Sequence, residues 1–235
     1  MNSSQTVLIT GANRGIGLAL TTESLAAGYS VIATARKPEQ SRELAALWEK
    51  YPEKLLLQAL DVNSDASVQE LATSVSGIDV LINNAGVFPE KGDEPVDQWQ
   101  MEHLTAAFQT NVVGVARVTQ ALLGHLARSS APRVVNISSS AGSISGKHTH
   151  AYYAYATSKA ALNMLTRSMA FDLKRKGIPV VAVHPGWVQT EMGGYDATLT
   201  PTESAGAIVK MIGNLTLDHA ACFLERDGSP CRHAW

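Results

Sequence analysis

Short apolar runs alternate along this chain with longer segments of helical periodicity, and this alternation restricts the fold more than any other feature. Seven runs rich in β-branched residues predict strands, in the order TVLIT, SVIATA, KLLLQAL, IDVLIN, PRVVNIS, IPVVAVH and ACFLE. Strands that are apolar on both faces are typical of a parallel sheet covered by helices on each side. The pattern predicts an α/β fold with a doubly wound, seven-stranded parallel sheet.

Length and composition bound the class of protein. The 235 residues suffice for one α/β domain, so we predict a single catalytic domain over residues 1–235. Lys and Arg number 19 against 21 Asp and Glu, and without a basic run nucleic acid is not an expected partner. Cys222 and Cys231 have neither metal-ligand nor redox spacing. With no signal-peptide or membrane-span pattern, we expect a soluble, cytoplasmic protein without a metal site.

A glycine-rich loop joins the first strand to a helix. Its sequence is Thr10-Gly11-Ala12-Asn13-Arg14-Gly15-Ile16-Gly17. Glycines here permit a tight turn and let backbone N–H groups meet a pyrophosphate at the start of the helix. A turn that serves only strand-to-helix packing is the alternative. The position directly after the first strand favours the phosphate-binding interpretation.

The end of the second strand indicates which dinucleotide would bind. A carboxylate there normally binds the ribose 2′-hydroxyl of NAD, whereas an Arg accommodates the 2′-phosphate of NADP. Ala35-Arg36-Lys37 contains no acid, and Arg14 adds a second guanidinium whose planar fork can grip a phosphate. The alternative is that Arg36 and Lys37 lie on a solvated turn. The pattern favours NADP(H) over NAD(H).

Tyr155 and Lys159 are four residues apart, so both lie on one face of the helix predicted after the fifth strand. A free phenol has a pKa near 10, and a nearby cation favours its ionised form. Tyr152 and Tyr153 have no such partner four residues on. An exposed helix pair is the alternative for Tyr155 and Lys159. Their position after a central strand instead favours a catalytic pair.

Three serines compete for a second catalytic role. The fifth strand runs into Ser138-Ser139-Ser140-Ala141-Gly142, which places hydroxyls where a substrate carbonyl could be hydrogen-bonded. His184 ends the sixth strand next to a proline, and a histidine there is more often structural, so we leave it out of the predicted site.

These motifs, in this order, resemble those of the short-chain dehydrogenases/reductases over essentially the whole chain. The glycine loop matches that family's Thr-Gly-x-x-x-Gly-x-Gly, and Asn83-Asn84-Ala85-Gly86 matches its Asn-Asn-Ala-Gly. The resemblance implies a Rossmann fold and an NADP(H)-dependent oxidoreductase that interconverts a carbonyl and an alcohol by hydride transfer. It also implies a homodimer or homotetramer built on two helices with apolar stripes, which carry Val112, Val115, Val118 and Leu122, and Leu162, Leu165 and Met169.

The resemblance assigns roles to a catalytic set of Asn111, Ser139, Tyr155 and Lys159. Ser139 is selected as the second of a Ser-Ser pair two residues before Ala-Gly, with Ser140 as the alternative and Ser138 serving the backbone. Tyr155 exchanges a proton with the substrate oxygen, and Lys159 holds the nicotinamide ribose and lowers the Tyr155 pKa. Asn111 kinks its helix and holds a water that connects Lys159 to solvent.

The resemblance also implies cofactor contacts beyond the glycine loop. Asp61 of the Asp61-Val62 pair contacts the adenine, although by itself it would be a helix N-cap or turn residue. The full set implied is Gly11, Asn13, Arg14, Gly15, Ile16, Gly17, Arg36, Asp61, Val62, Asn83, Ala85, Gly86, Tyr155, Lys159, Pro185, Gly186, Val188 and Thr190.

A narrower resemblance links residues 184–194 and 227–230 to the C-factor and sniffer-like carbonyl reductases. Glu191 departs from the Asp expected in that subgroup. The stretch from Gly193 to Pro201 would border an open pocket for varied aldehydes or ketones. A non-catalytic NADP(H)-binding signalling or regulatory protein of the C-factor type is the alternative function, but such a protein has no need of all four catalytic residues.

Overall fold

Seven parallel strands form one sheet at the centre of the structure, in the spatial order β3-β2-β1-β4-β5-β6-β7. The computed structural model describes residues 5–90, 92, 95–233 and 235. The strands are β1 Thr6–Thr10, β2 Ser30–Ala35, β3 Leu55–Ala59, β4 Val80–Asn83, β5 Arg133–Ile137, β6 Val180–His184 and β7 Phe223–Glu225. The predicted doubly wound sheet is therefore confirmed.

Seven α-helices are present within the described residues, and six of them cover the faces of the sheet. They are α1 Gly15–Ala26, α2 Arg42–Lys50, α3 Asp65–Ser74, α4 Met101–Phe108, α5 Val115–Leu126, α6 Tyr153–Lys174 and α7 Pro201–Gly213. Helices α1, α2 and α7 cover one face, and α3, α5 and α6 cover the other. The first core contains Leu20, Leu44 and Ile208, and the second contains Leu71, Leu122 and Leu173.

Strand β1 shows why the central strands are apolar on both faces. Successive side chains of a strand point to opposite sides, and here Val7 and Ile9 enter one core while Leu8 enters the other. All three are fully buried. Burial of each such side chain contributes about 1.5–3 kcal/mol of hydrophobic stabilisation. A polar residue at any of these positions would face a core.

The strand order places the candidate site. Chain connections lead away from β1 in opposite directions along the sheet, so a crevice opens between the ends of β1 and β4. Open α/β sheets bind ligands at such a switch point, outside the carboxyl ends of the strands. The sequence from Phe88 to Pro95 follows β4. Three of its residues lie outside the described part of the chain, namely Lys91, Asp93 and Glu94.

A π-helical turn, Gln109–Gly114, separates α4 from α5. Such turns are frequent at functional sites, because they interrupt the regular hydrogen-bond ladder. Within the part of the chain that the structure describes, no helix combines the length and apolarity needed to cross a membrane.

Candidate active site

The glycine loop is shaped by two close approaches of backbone. Gly11 has a φ of +66°, and a Cβ there would lie 2.9 Å from the Ala85 Cα. A Cβ at Gly17 would collide with the Gly11 carbonyl oxygen. Helix α1 begins at Gly15 without a side-chain cap from Arg14 and without an acid in its first turn. Uncapped N–H groups at the positive end of a helix form a site for an anion such as a phosphate.

Thr10 and Asn84 join the glycine loop to the turn after β4. The Thr10 hydroxyl accepts hydrogen bonds from the backbone N–H of Asn84 at 3.0 Å and of Ala85 at 2.9 Å. The Asn84 amide donates to the carbonyls of Thr10 and Gly11. Both side chains stand inside the motifs quoted from the sequence. Together they hold the two sides of the crevice in register.

Asn83 lies inside the protein rather than at the crevice surface. Its side-chain amide donates to Thr119 at 3.0 Å and to Asn136 at 2.8 Å. Asn136 in turn donates to Thr166 at 2.9 Å. This buried network joins β4 and β5 to α5 and α6, so the side chain stabilises the sheet. The cofactor contact that the resemblance implies for Asn83 stays a prediction.

Lys159 is buried beneath Tyr155. Its ammonium donates to the Ile137 carbonyl at 2.8 Å and lies 5.7 Å from the centre of the Tyr155 ring. The lysine is only 5% exposed, and this burial lowers its pKa to about 8, because the charged form loses hydration. A cation and a phenol thus share one enclosed site, as their spacing along the helix predicted.

The Ser139 side chain interacts with Tyr155, while the Ser138 hydroxyl is bonded elsewhere. Ser138 donates to the Asn163 side chain at 2.5 Å rather than to the backbone, and the Ser140 backbone N–H donates to Nδ1 of His184 at 3.2 Å. Burial raises the pKa of Tyr155, with the hydrogen bond from Ser139 acting in the opposite direction. The predicted net lowering of the Tyr155 pKa is therefore wrong for this structure, because burial outweighs the polar contacts.

Asn111 sits in the π-helical turn and is fully buried. Its side chain accepts from the Val87 backbone N–H at 2.8 Å and donates to the Val87 carbonyl at 3.0 Å. It also donates to the Ser158 hydroxyl at 2.9 Å, which donates to the Tyr155 carbonyl. A Cβ at Gly86 would lie 3.2 Å from Asn111 Oδ1 and 3.8 Å from Lys159 Nζ, so the two side chains flank this glycine. All four predicted catalytic residues therefore belong to one locality.

The segment after β6 folds back onto itself and reaches the glycine loop. A Cβ at Gly15 would lie 3.3 Å from the Thr190 methyl, so Thr190 borders the proposed phosphate site. Val188 is buried and pairs with Leu199, which packs over the Pro185-Gly186 turn. The stretch from Gly193 to Pro201 is thus tied down near its end, while Tyr195 is exposed.

The charged residues among the predicted cofactor contacts have distinct surroundings. Arg14 is ion-paired with Glu191, and both side chains are exposed. Arg36 is exposed directly after β2. Asp61 accepts from the Asn63 backbone N–H at 2.9 Å, so one carboxylate oxygen shapes the turn before α3. Val62 packs against Gly114, with 3.0 Å to the position of a Cβ there.

Glu90 and Phe88 were missed by sequence reasoning. The Glu90 carboxylate accepts the backbone N–H groups of Ala154 and Tyr155, the latter at 3.0 Å. Phe88 lies edge-on to the Tyr155 ring, with 4.9 Å between ring centres, and makes a similar contact with Tyr152. No spacing rule links these residues to the helix, since the contact spans more than sixty residues of sequence.

Comparison with known proteins identifies the family. The family model described as short chain dehydrogenase matches residues 5–198. C-signal of Myxococcus xanthus is 42% identical over 155 residues, which cover 65% of this chain and 90% of that protein. An uncharacterized oxidoreductase of Schizosaccharomyces pombe is 34% identical over 244 residues, which cover 94% of this chain and 95% of that protein.

Solved structures show the same relationship. The NADPH-bound carbonyl reductase from chicken fatty liver has a TM-score of 0.91 and 36% identity, covering 99% of both chains. The carbonyl reductase Sniffer of D. melanogaster has a TM-score of 0.93 and 32% identity, covering 99% of this chain and 100% of its own. The sequence resemblance is thus confirmed, and the chain belongs to the short-chain dehydrogenase family of oxidoreductases.

Proposed function

We propose that this chain is an NADP(H)-dependent oxidoreductase that interconverts an aldehyde or ketone and an alcohol, with Tyr155 as its acid/base residue. The observation that carries the proposal is the grouping of the Tyr155 phenol with the Ser139 side chain and the buried ammonium of Lys159, which lies 5.7 Å from the centre of the tyrosine ring. Two hydroxyl groups that meet in this way can both hydrogen-bond one carbonyl oxygen. Such a site polarises the carbonyl and supplies its proton.

The protonation states suit reduction at neutral pH. The raised pKa of Tyr155 keeps its phenol protonated, so it can donate to the substrate oxygen. The pKa of Lys159, about 8, leaves its side chain mainly cationic at neutral pH. A cation beside the phenol stabilises the phenolate that forms once the proton has left. Ser139 holds the substrate oxygen in place during this transfer.

The residues around the crevice fit a phosphorylated dinucleotide. A bound nicotinamide cofactor would supply the hydride to the carbonyl carbon. The uncapped start of α1 would hold its pyrophosphate, and the acid-free end of β2 with Arg36 favours the 2′-phosphate of NADP. Arg14 would contribute its guanidinium after exchanging its exposed partner Glu191. The NADPH bound in the related chicken reductase supports the same choice.

The alternative function is non-catalytic signalling or regulation by an NADP(H)-binding protein. The similarity to C-signal favours it, since that protein's name denotes a signal. A signalling protein would need the cofactor crevice but not a phenol bonded to a serine. The presence of Asn111, Ser139, Tyr155 and Lys159 in one locality therefore favours the enzyme.

The test is NADPH oxidation against a panel of aldehydes, ketones and quinones, with NADH in parallel and Tyr155→Phe as the matched control. We expect turnover that prefers NADPH and that is lost in Tyr155→Phe. Tight NADPH binding without turnover across the panel would favour the signalling function. The open substrate pocket, the cytoplasmic location and the homo-oligomer implied by the family resemblance remain further proposals.

A further inference from the structure

The helix that carries Tyr155 begins without a cap of its own. Tyr152 occupies the N-cap position in the left-handed region, with φ +63° and ψ +51°, and its side chain makes no capping hydrogen bond. The first N–H groups of a helix need acceptors from elsewhere, since no helical carbonyl precedes them. In α6 the acceptor comes from a distant part of the chain.

That acceptor is the carboxylate of Glu90, which is only 5% exposed. One oxygen accepts the N–H of Ala154, and the other accepts the N–H of Tyr155 at 3.0 Å. A carboxylate is the favoured partner at this position, because it matches both the free N–H groups and the positive end of the helix. The reacting residue is therefore bonded to Glu90 through its own backbone.

The segment that carries Glu90 is in turn bonded to Asn111, one of the predicted catalytic residues. The segment from Val87 to Glu90 is fixed at its start by Asn111, which bonds both the N–H and the carbonyl of Val87. In between, Phe88 packs its ring edge-on to the Tyr155 ring. The four residues from Val87 to Glu90 thus connect Asn111 to Tyr155. Within them, Glu90 bonds the tyrosine backbone and Phe88 packs against its ring.

We infer that Glu90 is a positioning residue, whose buried carboxylate fixes the first turn of α6 so that the Tyr155 phenol meets Ser139. The inference rests on the proposed function for its kinetic meaning. Glu90 need not touch the substrate or the cofactor, because it acts through the backbone of Tyr155. A misplacement of about 1 Å in a reacting group can lower a rate by about 100-fold.

The experiment compares Glu90→Ala and Glu90→Gln with Glu90→Asp and with the control Glu203→Gln. Ala removes both acceptors, Gln keeps the size but only one acceptor oxygen, and Asp keeps the carboxylate. Glu203 caps α7 in an exposed capping box, so Glu203→Gln makes the same chemical change at another helix start. Turnover, the KM for NADPH and the amide exchange of Ala154 and Tyr155 are measured for each folded variant.

We expect kcat to fall about 10- to 100-fold in Glu90→Ala and less in Glu90→Gln, with the KM for NADPH within about twofold of wild type. Glu90→Asp should recover part of the loss, and Glu203→Gln should keep the wild-type kcat. Amide exchange at Ala154 and Tyr155 should be faster in the Ala and Gln variants. Faster exchange with an unchanged kcat would overturn the inference, as would a fall of equal size in Glu203→Gln.

Failure of the proposed function would be recognised separately. If wild type turns over no substrate, the position of Tyr155 is read from the ¹³Cζ shift of labelled tyrosine, assigned with Tyr155→Phe. Glu90→Gln must then move this signal while Glu203→Gln leaves it in place. An unmoved signal overturns the inference about Glu90. If Glu90→Ala does not fold, the isosteric Gln variant decides by the same measurements.

Discussion

The Lys159 ammonium donates a hydrogen bond to the carbonyl of Ile137, the last residue of β5, at 2.8 Å. Two residues further along the chain, the Ser139 side chain interacts with Tyr155. The end of β5 therefore accepts a hydrogen bond from Lys159 of α6 and leads directly into Ser139, which lies beside Tyr155. Because the three side chains are positioned by the same end of β5, substitution of one of them is expected to change the geometry of the other two.

Lys159→Met is expected to change how stability depends on pH. Burial lowers the Lys159 pKa from 10.5 to about 8, so between these values the unfolded chain holds the extra proton. The free energy of unfolding of wild type therefore increases by about 3 kcal/mol as pH rises through that window, and this increase is lost as pH falls below it. Lys159→Met has no titrating group at this position, so its stability should not show this increase.

Denaturant unfolding at pH 7 and pH 10.5 checks this expectation. The stability of Lys159→Met relative to wild type should fall by about 3 kcal/mol between the two conditions. The exposed Lys174→Met, on the same helix, serves as the control variant. If the free energies of unfolding of Lys159→Met and wild type differ by the same amount at both pH values, the lowered pKa of Lys159 is contradicted.

Ser139→Ala and Ser140→Ala distinguish the two serines that the sequence left open. Ser139 is the serine that interacts with the Tyr155 side chain, whereas the Ser140 backbone N–H is bonded to His184. Loss of one preorganised hydrogen-bond donor typically lowers kcat by about 10²- to 10³-fold. We expect a loss of that size for Ser139→Ala and a change within about threefold for Ser140→Ala. The kcat of both variants is measured in steady-state assays. An equal fall in kcat for the two variants would contradict Ser139 as the one serine that bonds the substrate carbonyl.

The predicted site residues that the structure brings together are those linked by local spacing. Tyr155 and Lys159 meet because they are one helical turn apart, and the glycine loop follows a strand whose apolar character is plain in the sequence. Strand order could not be read from these patterns, but the carboxyl ends of parallel strands lie at one edge. That geometry is enough to bring the motifs together.

The parts that sequence reasoning missed depend on tertiary contacts. Glu90 caps a helix more than sixty residues away, and no periodicity links the two. The direction of the Tyr155 pKa follows from burial, which outweighs the charge argument that the spacing suggested. Asn83 faces the core because of its place in β4, whereas Asn84, one residue on, turns to the glycine loop.

Arg36→Ala is expected to weaken discrimination between the two nicotinamide cofactors. An exposed guanidinium at the end of β2 can bond the 2′-phosphate that only NADP carries. Loss of a charge-assisted hydrogen bond of about 1.5–3 kcal/mol should lower the ratio of kcat/KM for NADPH over NADH by about 10- to 100-fold. Arg175→Ala, at the far end of α6, should leave the ratio unchanged. An unchanged ratio in Arg36→Ala would remove it from the cofactor site.

The proposed homo-oligomer can be tested on α6. Met164 and Phe171 are seven residues apart on one helix face and are 65% and 59% exposed. Large apolar side chains in such a row favour contact with another protein surface. Light scattering should give wild type the mass of two or four chains and the double variant Met164→Glu, Phe171→Glu a smaller one. A single-chain mass for wild type would contradict the proposal.

Transfer of deuterium is the most direct test of the proposed reaction. NADPH carrying deuterium at nicotinamide C4, on the hydrogen that is transferred, is incubated with any carbonyl compound that the enzyme accepts, using wild type and Tyr155→Phe. We predict alcohol labelled at the former carbonyl carbon, formed about 10²- to 10⁴-fold more slowly by Tyr155→Phe. Alcohol without the label, or equal rates for the two proteins, would contradict hydride transfer with Tyr155 as the acid.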